Sequence, residues 1–361
     1  MENNGIYFDL AEYKDKYLYF FANCFPVRGH TRTMICDIQR RRLFFVDNSY
    51  YELINALNEN TIGEVIDMLE GEDDYGEFDK FVRFLLKNDL GEFVDDLSLF
   101  PRIQPDWDHP SPITNAIIDI RDKPHDFQKI FNELDDLNCY YIQIRSFGKT
   151  DLAALTDIFA QTKGKCFRGI QVLIRYEKGV TEIRRLKQFT HQFPIALLSI
   201  YATPETYLKK IKSDNFYQNV CFISQEISSC EACGVINLQS LYIPSLKGFL
   251  ENMNFNGCLN RKISIDESGQ VKNCPSMQRG FGDIMETSLR DVIKHEEFTR
   301  LWHITKDQID ICKDCEFRRI CTDCRAYVEE KNNIYSKPAK CSYNPYTGKW
   351  ADQAILSGNH F

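Results

Sequence analysis

Apolar positions along the chain change rhythm three times. In residues 1–100 short strand-like runs come first, at 17–24, 33–38 and 43–46, and the polar Gln39, Arg40, Arg41 and Arg42 separate the last two. That order predicts a β-hairpin. Helical spacing follows at 49–57, at 62–69 behind the capping candidate Thr61, and at 78–90, where Phe78, Phe81, Val82, Leu85 and Leu86 share one face. Strands followed by three helices predict a small winged-helix-like module. Residues 70–77, acidic with two glycines, read as the connection between the last two helices, and 101–112, with four prolines, as a domain boundary.

From 113 to 250 apolar runs alternate with amphipathic stretches. Strands are expected near 116–120, 140–145, 170–175, 195–201 and 220–224. Between them Phe127, Ile130, Phe131, Leu134 and Leu137, and later Ile183, Leu186, Phe189 and Phe193, keep helical spacing. Repeated βα units imply a parallel sheet, and five or six strands are too few for an eight-fold barrel. The expected class is therefore α/β with a partial parallel (β/α) barrel at its centre. Residues 251–361 lose the rhythm and become irregular and cysteine-rich, with helices expected at 245–253 and 289–302.

Composition narrows the class. A chain of 361 residues, 43% hydrophobic, can bury its cores without disulfides. Glu2, Asp9 and Glu12 stand where a secretory signal needs positive charge and then an apolar run, and no stretch approaches about 18 apolar residues. A cytoplasmic chain with no membrane partner is expected. The formal charge of −8 argues against a nucleic-acid partner, which calls for a surplus of Lys and Arg. In a reducing compartment the fourteen cysteines are poor disulfide candidates, so the clustered ones point to metal.

Those clustered cysteines read Cys258-x10-Gly269-x4-Cys274, then Cys312-x2-Cys315-x5-Cys321-x2-Cys324, then Cys341: seven in 84 residues. Soft thiolates in C-x2-C turns select zinc or iron–sulfur clusters, and spacing alone leaves both open. A further C-x2-C pair, Cys230 and Cys233, lies in a polar run. Cys24, Cys36, Cys139, Cys166 and Cys221 are scattered and receive no role.

Over residues 255–345 the arrangement resembles the SPASM domain, the auxiliary-cluster domain found behind radical S-adenosylmethionine barrels in peptide-modifying enzymes. All seven family positions are filled. The resemblance implies two [4Fe–4S] clusters: Cys312, Cys315, Cys321 and Cys341 would ligate one, while Cys258, Cys274 and Cys324 would give three ligands to the other. Two features depart from the pattern. The family block usually ends C-x3-C, not C-x2-C, and the cysteine often found just before the first is absent from Glu251, Asn252, Met253 and Asn254. Cys230 or Cys233 is a candidate for the extra ligand, although the pair also suits free surface thiols.

A radical S-adenosylmethionine enzyme carries a C-x3-C-x2-C triplet after its first barrel strand. Here that stretch reads Asp119, Ile120, Arg121, Asp122, Lys123, Pro124, His125, Asp126, and where the family has a glycine-rich motif on the second strand this chain has Ile144, Arg145, Ser146, Phe147 and Gly148. No S-adenosylmethionine site is expected, and no catalytic acid or base stands out. The combination resembles the SPASM-domain peptide maturases of grasp-with-spasm systems, which implies a precursor peptide and an ATP-grasp ligase as partners. In that reading residues 1–100 bind the leader by strand addition, with Arg28, Arg32, Arg41 and Arg42 as candidate peptide contacts, although the arginines of the turn also suit a solvated loop. Residues 113–250 form the degenerate barrel and 251–361 the cluster domain. Two other readings stay open: a redox-sensing winged-helix regulator, and a zinc-stabilised scaffold.

Overall fold

The computed structural model describes residues 9–121, 125–212 and 217–351. The early acidic Glu2, then Asp122, Lys123 and Pro124, and the last ten residues lie outside the described residues.

The amino-terminal stretch forms β1 (Tyr17–Phe20), β2 (Cys24–Arg28), β3 (Thr33–Asp37), β4 (Arg42–Val46), α1 (Ser49–Leu57), α2 (Ile62–Asp67), α3 (Glu72–Lys87) and β5 (Gly91–Val94). The run at 17–24 is two strands rather than one. β1 leaves to pair antiparallel with β5, while β2, β3 and β4 make an antiparallel sheet of their own. Gly91 permits the first pairing, because a Cβ there would sit 2.6 Å from the Tyr19 carbonyl. Helix α3 starts earlier than its apolar face suggests. Glu72, Asp73 and Asp74 occupy its first turn, where carboxylates favour the positive end of the helix dipole. Thr61 caps α2 as expected, accepting from the Glu64 amide while Glu64 accepts from the Thr61 amide.

Strand β3 is buried along its whole length, its apolar centre Met34, Ile35 and Cys36 lying between two layers. Ile35 faces α1–α3 among Ile54, Leu57, Phe78, Phe81 and Leu85. Met34 and Cys36 face the other way, into Phe249, Phe317, Ile320, Tyr343 and Trp350 of the carboxy-terminal region. The module is thus docked on the cysteine domain through the outer face of its sheet. Buried Glu316 locks the seam, accepting from Arg32 Nε at 2.7 Å and from the Tyr343 hydroxyl at 2.5 Å.

The central region is β6 (Asn115–Ile120), α4 (Phe127–Asp136), β7 (Tyr141–Ser146), α5 (Leu152–Ala160), β8 (Gly169–Arg175), α6 (Ile183–Thr190), β9 (Ile195–Tyr201), β10 (Tyr207–Lys212) and β11 (Tyr217–Ile223). After α7 (Leu246–Asn254), two strands from the cysteine region, β12 (Lys262–Ile265) and β13 (Val271–Lys272), join the same sheet. Its order is β10-β11-β9-β8-β7-β6-β12-β13, with the hairpin strands β10 and β13 antiparallel at the edges and the six strands between them parallel. The sheet therefore runs across residue 250. One face, with Ile118, Ile144, Val172, Ile174, Leu198 and Ile200, is covered by Phe131, Leu134, Phe159, Leu186 and Phe189 of the helices. The opposite face is polar and partly open: a recess of about 350 Å³ is lined by Asn115, Tyr141, Gln143, Gln171 and Lys262 among others.

At the carboxy ends of β6 and β7, Arg145 donates Nε and Nη2 to the two oxygens of Asp119, both at 2.7 Å and buried. Burial lifts the Asp119 carboxyl above the usual carboxylate range even so. Arg121 continues the polar layer, bonding Glu267 at 2.5 Å and the Ser228 carbonyl.

Candidate metal centre

Two groups of sulfurs form in the cysteine region. In the first, a one-turn 3-10 segment at Cys312–Asp314 brings the Cys315 amide onto the Cys312 carbonyl at 3.1 Å. A second such turn, Glu316–Arg319, returns the chain to Cys321. Cys341 arrives from a distant loop, beside Ile236 across a parallel bridge. Cys312, Cys315, Cys321 and Cys341 line one small cavity with Lys306, Phe317 and Tyr343. This is the set that the SPASM resemblance implied for one cluster. Burial pushes the Cys312 thiol up to about 12 and the Cys315 thiol well above its ordinary range, so ligation there must displace protons from reluctant thiols.

In the second group Cys258 follows Asn256, whose side chain caps the Cys258 and Leu259 amides. Cys274 leaves the short strand β13, and burial lifts its thiol to about 12, with the charges of Cys258 and Cys233 close enough to add. Cys324 lies within charge–charge range of Cys258. Gly234 packs against it: a Cβ on Gly234 would fall 3.1 Å from the Cys324 sulfur. Cys258 and Cys274 pack against one apolar cluster with Leu259 and Ile309, and Cys233, the residue before Gly234, adjoins Cys324 at the end of the block.

Each group has an ammonium beside it. Lys306 Nζ lies 3.3 Å from the Cys321 sulfur, and Lys262 Nζ lies 3.7 Å from that of Cys258. Burial pulls the Lys306 ammonium down, but Asp323 and the charges of Cys321 and Cys312 outweigh it and raise it. Asp323, between Cys321 and Cys324, is the hub of the domain. It accepts from Arg325 Nε and Nη2 at 2.8 Å each and from Asn256 Nδ2 at 2.7 Å, and pairs with Lys306 at 3.1 Å. Burial pushes its carboxyl up, yet Lys306 and Arg325 prevail and hold it below the ordinary value. Sequence reasoning missed Asp323, Lys306 and Lys262, since their role lies in contacts that no spacing rule records.

All-thiolate donors on irregular backbone, each set offset by a cation, fit an iron–sulfur cluster. Among the described residues no three Cys, His, Asp or Glu converge as ligands of a single metal ion.

Of the scattered cysteines, Cys36 shares an apolar cluster with Cys315 and Cys341. Cys24, Cys36 and Cys139 are buried in apolar cores, and burial lifts each to about 12. The basic residues at the hairpin are engaged to different degrees. Arg42 bonds Asp37 and the Asn88 carbonyl, Arg32 bonds Glu316 and stacks 4.0 Å over Phe45, and Arg28 pairs with Glu52 at 2.6 Å. Arg41 is exposed on the turn with φ 55°.

The fold and the sulfur groups define an α/β protein with a cysteine-ligated cluster domain. Residues 258–316 match the family model of the SPASM domain, an iron–sulfur cluster-binding domain, and the chain carries such a domain. No curated protein matches the chain. Among solved structures it is similar to Streptococcus suis SuiB bound to precursor peptide SuiA, at 12% identity, covering 90% of this chain and 98% of that chain with a TM-score of 0.32. Among the described residues no helix is long and apolar enough to cross a membrane.

Proposed function

We propose that this protein holds two [4Fe–4S] clusters and acts as a maturase or accessory factor in the modification of a ribosomally made peptide, binding the precursor and working with an ATP-grasp ligase. When bound, such clusters supply folding energy and one-electron transfer. The observation that carries the peptide reading is the edge strand β4. It pairs with β3 on one side and, among the described residues, with no strand on the other. The opposite edge is covered, since β2 lies under the turn at Glu316–Arg319 and Arg318 Nη1 donates to the Arg28 carbonyl at 2.5 Å. An edge with one apolar neighbour, Phe45, still 40% exposed is suited to an added strand, whose main-chain bonds give affinity and whose alternate side chains give specificity. Arg41 supplies positive charge beside it.

Reductive cleavage of S-adenosylmethionine is not part of the proposed function. The sequence has no C-x3-C-x2-C triplet, and the buried Asp119–Arg145 pair fills the strand ends with a fixed polar contact.

The test uses the full chain, purified without oxygen. A labelled peptide encoded beside this gene should bind saturably, and a proline in mid-leader should weaken binding far more than an alanine there, because it removes a backbone donor. No saturable peptide binding, together with tight salt-sensitive binding to duplex DNA, would transfer the assignment to a redox-sensing regulator. Dithionite-reduced protein should release no 5′-deoxyadenosine from S-adenosylmethionine.

A further inference from the structure

We infer that Cys233 is the fourth ligand of the second sulfur site, joining Cys258, Cys274 and Cys324 and leaving no open iron there. This rests on the cluster reading above and decides what that site can do. A site closed by four thiolates stores or relays an electron, whereas one held by three offers a Lewis-acid position to substrate.

Cys233 comes from the connection between the parallel sheet and the cysteine domain, outside residues 258–316. Ser229 caps a single 3-10 turn at Cys230–Ala232, and Cys233 follows in an extended conformation. Gly234 is then held at φ +88°, a region that side chains disfavour, with its Cα facing the Cys324 sulfur and the Tyr327 ring. Two separate constraints thus demand glycine at the one position where this connection meets a cluster cysteine.

The connection is also fixed from both sulfur groups. Lys340 Nζ donates to the Cys233 carbonyl at 2.9 Å and to the Glu231 carbonyl, and its charge sits 3.9 Å over Tyr327. Ser276 Oγ, two residues after Cys274, donates to the Cys230 carbonyl at 3.1 Å. The Ile236 amide bonds the Lys340 carbonyl at 2.9 Å, beside Cys341. Cys233 directly precedes Gly234, the residue packed on the Cys324 sulfur, whereas Cys230 lies at the far end of the 3-10 turn. Cys233 is the exposed member of the set and forms its solvent-side wall.

Anaerobically reconstituted full chain tests this without any activity assay. Wild type should carry about eight irons, two four-iron clusters. Cys233→Ser should lose up to half of that iron or show the electron paramagnetic resonance signal of a three-iron cluster, and Cys230→Ser should keep the wild-type content. Alkylation of the loaded wild type with iodoacetamide covers the case in which a variant fails to fold: Cys230 should be labelled and Cys233 protected until the iron is removed. Fully loaded wild type in which Cys233 is labelled as fast as Cys230, or Cys233→Ser with unchanged iron and spectrum, overturns the inference and leaves the cluster reading standing. Wild type that takes up no iron overturns both.

Discussion

The parallel sheet and the cysteine domain share strands β12 and β13 but are held together by different means. In the sheet, regular ladders satisfy the backbone, and apolar side chains such as Phe131, Phe159 and Ile200 supply the driving force. Apart from β12, the elements of the cysteine domain beyond residue 255 are single turns and two-residue strands, too short to persist alone. Its interior is polar at the centre, where Asp323 gathers Lys306, Arg325 and Asn256. Ligation therefore has to do in one region what burial does in the other.

The largest expected effect follows from that difference. Stripping iron should cost the cysteine domain on the order of 10 kcal/mol, the scale of structural metal sites, and leave the sheet folded. Limited proteolysis of stripped protein should cut first within 300–345 while 127–200 stays protected. Equal protection of both would mean that ligation contributes little. Because Met34 and Cys36 pack on Phe317 and Trp350, the amino-terminal module should loosen along with the domain.

Asp323→Asn comes next. It leaves Lys306 and Arg325 buried without their counter-charge, which costs about 3–5 kcal/mol, and iron should be lost in proportion to unfolding. Phe131→Ala, of similar cost at about 3–5 kcal/mol, makes the contrast: the denaturation midpoint should fall while iron per folded chain holds. Iron loss in Phe131→Ala equal to that in Asp323→Asn would mean that the two regions unfold as one unit.

Much of this was legible in the sequence. Runs such as Ile170, Val172 and Ile174 announce a buried parallel strand, and the seven-cysteine spacing announces the sulfur groups, because both depend on local pattern. The strand Lys262–Ile265 was not legible. Four residues inside a cysteine-rich stretch give no periodicity, and its place beside β6 is set by long-range pairing with residues 115–118. The early start of α3 was hidden because its first turns carry acidic residues and Gly76, leaving the apolar stripe to begin at Phe78. Asp323 gave no signal, since a carboxylate inside a C-x2-C turn reads as solvated until Lys306 and Arg325 are seen to enclose it.

The smallest net effect is expected where the two regions meet, from replacing Asp119 and Arg145 together. Arg145→Met alone strands a buried carboxylate and should cost about 3–5 kcal/mol at neutral pH. Its pH dependence has a definite sign. A carboxyl whose folded pKa is raised binds its proton more tightly in the native state, so stability falls as pH rises above the unfolded value of about 3.9. Losing the cation steepens that fall, and the single variant should recover most of its stability in acid. Replacing both partners, Asp119→Leu with Arg145→Met, removes the charge and its desolvation cost together, so the double variant should lie within about 1 kcal/mol of wild type and lose the acid slope. Urea midpoints of the three proteins between pH 4 and 7 give the comparison. A double variant as unstable as the single one would mean that the polar pair itself, rather than the avoidance of an unpaired charge, holds the cysteine domain against the sheet.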